Sequence, residues 1–295
     1  MTLNFDKEFT DAKIFENEKM KKHTSFGVGG CARYFVKVYS LYALNTIINC
    51  CKKSGYPFKV IGNGTNLLVS DKGYDGVIIC TTALSDIFQT PQGIKAMAGA
   101  SLQKLIAFSQ SNNFTGLEYL SGIPATVGGG VVMNASAFGQ SVSDHIIYVE
   151  TIKNGKLIRY DKDVCKFGYR KSRFKGKNEV VASALFDLKK GDGKKISSDI
   201  KSVLALRKKL QPIGNTCGSV FKNPKGVTAG QLIEGANLKG VTCGGASVSE
   251  KHANFIINNQ GSATDIYNLI NYVKQKVKLD FNIELQEEVE YIGEF

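Results

Sequence analysis

SGIPATVGGGVVMNASAFG, residues 121–139, is the stretch on which the reading of this chain turns. Five of its residues are glycine, three are alanine, and Pro124 stands near its front. It shows neither a helical period nor a strand alternation, and fixing glycine costs conformational entropy. Such backbone is needed where something comes close: a ligand, or a helix crossing a sheet. Gly128, Gly129 and Gly130 keep side chains away, and Asn134 and Ser136 offer hydrogen bonds nearby.

A second glycine-bearing turn lies upstream in FKVIGNGTNLLVSD, residues 58–71, where Gly62 and Gly64 come after a strand-like run. The third glycine of a dinucleotide fingerprint is missing, since Leu67 holds its place, and residues 67–71 read as strand. A Rossmann turn needs a helix N-terminus under the pyrophosphate, so that reading fails on context. An ordinary hairpin turn and an anion-binding nest of backbone N–H groups both remain. Two such loops, each placed after a strand–helix unit, can converge on one extended ligand. A diphosphate-bridged cofactor asks for that combination of many N–H donors and little side-chain bulk.

The rest of the chain sets bounds. Its 295 residues fit one large domain or two to three small ones, and 43% hydrophobic content is ordinary for a globular protein. No apolar run is long enough to span a bilayer, and residues 1–22 mix acidic and basic side chains without an apolar core, so neither a membrane span nor a secretory signal is expected. The seven cysteines form no C-x-x-C pair, which suits free thiols in a reducing cytosol better than a disulfide scaffold or zinc ribbon. His23, His145 and His252 lie far apart with no ligand spacing, so no metal site is expected. The net charge of +12 fits a basic surface, nucleic acid or phosphorylated small molecules. The lysines are spread along the chain without an aromatic-interleaved basic cluster, which favours diffuse attraction of anions over a nucleic-acid face.

Local patterns give an α+β chain. Residues 40–55 read as an amphipathic helix capped by Ser40 and ended by Gly55, with strands next in PFKVIG, NLLVSD and GVIICTT. GIKAMAGA reads as a strand and SLQKLIAFSQSNN as a helix with Ser101 as its N-cap. Residues 145–160 form an expected hairpin turning at Asn154 and Gly155, and VVASALFDL another strand. GDGKKISSD, residues 191–199, reads as a linker before the helix IKSVLALRKKL. TAGQLIEGANL reads as a helix, HANFIIN as a strand, and Ser262 opens a long helix with a capping box. IELQEEVEYIG, residues 283–293, reads as an acidic strand.

Three further segments carry reactive side chains. FGYRKSRF (167–174) sets Arg170 in a basic, aromatic stretch, and TCGSVFKNPKG (216–226) sets Ser219 after Gly218 in a pattern that is not a hydrolase elbow. Glu284, Glu287, Glu288 and Glu290 crowd the C-terminus. Each alone reads as well as a solvated loop, a turn hydroxyl bonding the backbone, or a solvated edge strand.

Together these pieces resemble the enolpyruvyl-UDP-N-acetylglucosamine reductase family of bacterial cell-wall synthesis. The resemblance rests on HTSFGVGG (23–30), IGNGTNLLVSD (61–71), the stretch 121–139, YRKSRF, GSVFKNP (218–224), AGQLIEGANLKG (229–240), EKHANFIIN (250–258) and LQEEVEYIG (285–293), in the family's order. It implies an α+β flavoenzyme with a two-subdomain FAD-binding fold of the vanillyl-alcohol-oxidase (PCMH) type and a C-terminal substrate domain. Residues 1–80 and 81–190 would be the two FAD-binding subdomains, 191–280 the UDP-sugar domain, and 281–295 a segment carrying Glu288 back to the active site. FAD would be held non-covalently by Gly62, Asn63, Gly64, Thr65, Asn66, Gly122, Ile123, Ala125, Thr126, Gly129 and Asn134. NADPH would reduce it, and flavin N5 would pass a hydride to C3 of the enolpyruvyl group, giving UDP-N-acetylmuramate.

That addition leaves negative charge at C2 and the carboxylate, which needs preorganised positive and acidic groups. By resemblance Arg170 and Glu288 form the stabilising pair and Ser219 hands the proton to C2. Lys222, Asn223 and Gln231 match positions near the UDP-sugar, with Lys222 also suited to assist Ser219. The implied enzyme is cytoplasmic, takes small-molecule partners rather than nucleic acid or membrane, and is compatible with a monomer. The family usually reads G-I-P-G-T-V-G-G-A and M-N-A-G-A-Y-G, whereas this chain has Ala125, Gly130, Ser136 and Phe138. Ala125 puts a methyl where glycine is usual, which tells against a positive φ there. The short span from Arg170 to Ser219 lacks the substrate-covering tyrosine loop of one branch of the family. Another FAD oxidoreductase on the same scaffold is the competing enzyme reading, and a basic nucleic-acid-binding protein the competing non-enzyme one.

Overall fold

Serine and threonine hydroxyls fix where the helices begin. In the computed structural model, which describes residues 11–177 and 179–295, Ser40 Oγ accepts from Ala43 N at 3.1 Å and opens helix α1, Leu41–Lys53. Ser101 does the same for α2, Leu102–Ser111, and Thr126 for the short α3, Val127–Met133.

These three helices belong to a unit formed by residues up to 15, 34–63 and 76–206. It contains most of a four-stranded sheet in the order Ala12–Lys19, Cys31–Val38, Tyr74–Cys80, Phe58–Ile61. Leu44, Ile47, Ile48 and Cys51 of α1 share a core with Val36, Val38, Val77 and Ile79 of that sheet. A five-stranded antiparallel sheet has the order Lys156–Asp161, Ile146–Lys153, Val180–Phe186, Gly93–Met97, Ile87–Thr90. The expected hairpin turns at Asn154 and Gly155 with φ of 48° and 78°, the left-handed pair that matches strand twist. α2 and α3 bury Leu102, Leu105, Val127 and Val131 with Ile94, Val149 and Phe186 in a second core.

The stretch 191–199 is a correction to the sequence reading. It is mostly helix, because α4 runs Gly193–Leu210. Asp192 accepts from Lys194 N at 2.9 Å, and Ile196 is buried, so a side-chain cap and one tertiary contact override the glycine and serine content.

The other unit joins residues 16–33, 64–75 and 207–295. It holds α5, Ala229–Gly235, α6, Ala263–Phe281, and an antiparallel sheet of Thr242–Cys243, Ala246–Val248 and Ile256–Asn258. Leu67–Val69 pairs in parallel with Glu290–Ile292. Phe26, Leu68, Val220, Phe221, Leu232, Ile266 and Ile270 share its core. Capping boxes form at Thr228 with Gln231 and, as expected, at Ser262 with Asp265. Asp71 reinforces the start of α6 by accepting from Ala263 N at 3.0 Å and from Thr264 N at 2.9 Å. The expected strands HANFIIN and IELQEEVEYIG shrink to Ile256–Asn258 and Glu290–Ile292. Residues 286–288 bond singly to the 220–222 segment instead of forming a ladder. No helix among the described residues is long and apolar enough to cross a membrane.

One buried charge ties the five-stranded sheet. Glu150, only 7% exposed, accepts from Lys95 Nζ at 2.6 Å, Ser183 Oγ at 2.6 Å and Arg159 Nη2 at 3.3 Å. Burial alone would raise its pKa, but the bonds from Lys95 and Ser183 outweigh it and hold the carboxyl below its ordinary 4.5. Its stabilisation is therefore complete above that value and is lost as pH falls through the depressed folded-state pKa. Glu150→Gln, which leaves Lys95 without its counter-charge, is expected to cost about 3 kcal/mol in urea unfolding at pH 7 and to flatten the acid limb of the stability profile.

Candidate active site

The two glycine-bearing loops meet. The strand Phe58–Ile61 ends at Gly62, and a Cβ there would land on Thr126 Oγ1 and sit 2.9 Å from its Cγ2. Asn63 Nδ2 donates to Pro124 O at 2.9 Å, a second link between the loops. Gly62 is glycine because the other loop occupies the space a side chain would take.

Within residues 121–139 the glycines divide by purpose. The segment runs beside residues 98–102, with Leu102 N bonded to Ala125 O, Val127 N to Ala100 O and Gly128 N to Ala98 O. A Cβ on Gly128 would come within 2.9 Å of Ala98 Cβ, so this glycine serves a close helix–strand crossing. Gly129 is exposed, and a Cβ there would meet only Thr126 Oγ1, at 3.5 Å. Gly122, also exposed, takes the left-handed φ of 84°, while Ala125 stays out of that region, so its methyl strains nothing. Ile123 O accepts from Gln103 Nε2 at 3.0 Å and Gly122 N donates to Gln103 Oε1 at 3.3 Å, which pins the loop to α2.

The turn 62–65 suits an anion. Gly64 has φ of 65°, and its Cβ would collide with the His23 carbonyl. The backbone N–H groups of Asn63, Gly64 and Thr65 have no protein acceptor among the described residues. Consecutive unspent N–H donors beside glycine backbone are what a diphosphate needs. Asn66 behaves differently: its Nδ2 donates to Glu288 O at 2.9 Å and its carbonyl accepts from Glu290 N at 2.9 Å, so it clamps the C-terminal segment. Asn134, at the end of α3 with φ of 47°, spends its amide on Gly168 O at 3.1 Å and Ser143 N at 3.1 Å.

Arg170 sits at the tip of a tight turn closed by reciprocal bonds between Gly168 and Lys171, with φ of 51°. Ser172 Oγ anchors the turn on Val132 O at 2.7 Å. The guanidinium lies 5.1 Å from the Tyr169 ring and donates from Nη1 to Ser136 Oγ at 2.6 Å.

In the other unit, Ser219 and Glu288 occupy adjoining backbone runs. Glu288 N donates to Val220 O at 2.7 Å and Lys222 N to Gln286 O at 2.9 Å. On the far side, Ser219 bridges to Phe255, and Asn254 holds Phe221 through both its N–H and its C=O. Asn223 Oδ1 accepts from Ala229 N at 3.0 Å at the start of α5, and Gln231 Oε1 accepts from Thr228 N at 3.1 Å. Asn223 and Gln231 thus meet at one helix start, with Lys222 adjacent to Asn223 in the chain. Sequence reasoning missed Cys217, whose thiol pKa is pushed up by burial and then by the Glu288 charge. It also missed the link of Ser136 to Arg170, two residues 34 positions apart. Among the described residues no group of three or more His, Cys, Asp or Glu side chains is placed to hold a metal ion.

Comparison with known proteins accounts for this arrangement. Residues 32–161 match the model of an FAD binding domain, and residues 209–292 match the model of the UDP-N-acetylenolpyruvoylglucosamine reductase C-terminal domain. An FAD binding domain followed in one chain by that C-terminal domain defines an FAD-dependent oxidoreductase. The chain is 40% identical over 288 residues to the UDP-N-acetylenolpyruvoylglucosamine reductase of Caldanaerobacter subterraneus subsp. tengcongensis, covering 96% of this chain and 95% of that protein. It is 40% identical over 293 residues to the protein of the same name from Clostridium botulinum strain Alaska E43, covering 98% and 96%. The crystal structure of UDP-N-acetylenolpyruvylglucosamine reductase from Thermus caldophilus matches with a TM-score of 0.82 at 32% identity, covering 96% of this chain and 99% of that one. The chain belongs to the UDP-N-acetylenolpyruvoylglucosamine reductase family.

The glycines should separate experimentally. Gly62→Ala drives a methyl into Thr126, whose hydroxyl also bonds Gly129 N at 3.2 Å, and is expected to lower the melting temperature and release flavin on gel filtration. Gly129→Ala is expected to fold with the melting temperature of the parent and to lose flavin affinity only, read by fluorescence titration with FAD.

Proposed function

We propose that this protein reduces enolpyruvyl-UDP-N-acetylglucosamine to UDP-N-acetylmuramate in the cytoplasm, with NADPH as reductant and FAD held non-covalently. The observation that carries the reading is the pairing of the Ser219–Lys222 run with the Gln286–Glu288 run, in the region matching the family's C-terminal domain. The chemistry supplied by a bound FAD would be hydride transfer from NADPH to C3 of the enolpyruvyl group. We assign its diphosphate to the N–H groups of residues 63–65 and to the exposed backbone at Gly122 and Gly129. The side chains of Asn66 and Asn134 support this cradle through their bonds to Glu288, Gly168 and Ser143. The division into FAD-binding residues 1–80 and 81–190, UDP-sugar-binding residues 191–280 and a segment 281–295 carrying Glu288 is part of the same proposal.

The chain's own residues manage charge and protons. Hydride addition at C3 puts negative charge on C2 and the substrate carboxylate. Arg170 neutralises it with its planar, multi-donor guanidinium. Ser219 donates its hydroxyl proton to C2, completing a saturated carbon, and recovers a proton from solvent by way of Lys222. Glu288 orients the donors around C2. Lys222 and the amides of Asn223 and Gln231 take the UDP-sugar; Gln231 spends its carbonyl oxygen in the α5 cap, which leaves its NH₂ as the donor. The net charge of +12 favours all three polyanionic ligands, FAD, NADPH and the UDP-sugar.

Anaerobic stopped-flow spectroscopy tests the assignment of the proton donor. In Ser219→Ala, bleaching of the flavin by NADPH is expected to keep its parent rate, while reoxidation by the enolpyruvyl sugar slows by roughly 10²–10⁴-fold, the usual range for a lost general acid. A parent-like reoxidation rate in this variant would remove Ser219 from the role.

A further inference from the structure

We propose that Ser136 is a positioning residue for Arg170, holding the guanidinium at the place where charge develops on the substrate. The inference rests on the charge-neutralising role proposed for Arg170. Its basis is the 2.6 Å bond from Arg170 Nη1 to Ser136 Oγ, a charge-assisted contact made by a half-buried serine.

Both partners are held by their surroundings. Ser136 lies in the two-residue strand Ser136–Ala137, paired with Gln140–Ser141. The Arg170 turn is bonded to the same stretch at three points: Ser172 to Val132 O, Asn134 to Gly168 O, and Arg170 to Ser136. The first two fix the turn's backbone. The third bonds the side chain itself, whose guanidinium also lies 5.1 Å from the Tyr169 ring. Asn134, in left-handed backbone at the end of α3, gives its Nδ2 to this bracing and accepts from Ser143 N with its Oδ1, so the end of α3 is bonded directly to the turn that carries the guanidinium.

Ser136 also changes the chemistry at the tip. A hydroxyl that accepts from a guanidinium still has its own proton to donate. That proton is made more acidic by the neighbouring positive charge, and it is available to the same anion that Arg170 meets. Where the family's usual motif has glycine, this chain therefore couples a second neutral donor to the cation. A glycine there gives the arginine no such acceptor.

The test uses the holoenzyme and reads its two half-reactions separately. Ser136→Ala and Ser136→Gly are expected to slow reoxidation of the reduced flavin by enolpyruvyl-UDP-N-acetylglucosamine about tenfold, which is roughly 1.4 kcal/mol of transition-state stabilisation. Flavin reduction by NADPH, flavin content and melting temperature stay at parent values. Ser136→Thr, which keeps the hydroxyl, restores the rate. Parent-like reoxidation in Ser136→Ala, with Arg170→Ala severely impaired in the same assay, overturns the proposal while leaving the role of Arg170 intact. Equal slowing in Ser136→Ala and Ser136→Thr overturns it as well, because space and not the hydroxyl would then be what matters. If Arg170→Ala itself reoxidises at the parent rate, the underlying reading falls first, and this inference with it.

Discussion

The contact of Gly62 with Thr126 is the constraint on which the proposed cofactor cradle depends. Gly62 arrives at the end of the edge strand Phe58–Ile61 of the four-stranded sheet, and Thr126 arrives on a segment bonded along residues 98–102. Where these backbones touch there is no room for a side chain on one of them, and the hydroxyl of the other is already spent capping Gly129. The cradle is therefore made of main chain. A main-chain cradle presents N–H dipoles that cannot change protonation state and cost no rotamer entropy when a ligand binds. That suits a diphosphate, which carries charge at every physiological pH.

The side chains proposed to carry the chemistry are built on the opposite principle. Arg170, Ser219 and Glu288 each sit on short irregular backbone, and each is fixed by bonds that neighbouring residues make to main-chain atoms. Asn134 and Ser172 hold the Arg170 turn; Asn254 holds the segment after Ser219; Asn66 holds the Glu288 carbonyl. Side-chain amides recur in this role because one amide both donates and accepts, so it can satisfy an N–H and a C=O that no ladder reaches. A site held this way is preorganised without belonging to a regular element.

Legibility in the sequence divides along the same line. Ser40, Ser101 and Ser262 mark helix starts because a cap is decided within four residues, and Asn154–Gly155 marks its turn for the same reason. The strands HANFIIN and IELQEEVEYIG read too long because pairing partners are non-local: Lys222 takes Gln286, and Val220 takes Glu288, leaving only Glu290–Ile292 for a ladder. The helix start at Gly193 was hidden because it depends on burying Ile196. At the site, the family motifs point to residue identities and roles, whereas the engagement of Asn66 and Asn134 by protein groups is a tertiary fact. Ser136 was visible as a departure from the usual glycine; that it meets Arg170 was not.

The most direct measurement of the central claim is NADPH oxidation by the purified flavoprotein, monitored under anaerobic conditions with and without enolpyruvyl-UDP-N-acetylglucosamine. The account predicts a yellow protein whose sustained NADPH consumption requires the sugar, matches it mole for mole, and yields a product two hydrogens heavier. A protein that cannot be reconstituted with FAD, or one that turns over NADPH without reducing the enolpyruvyl group, would contradict it.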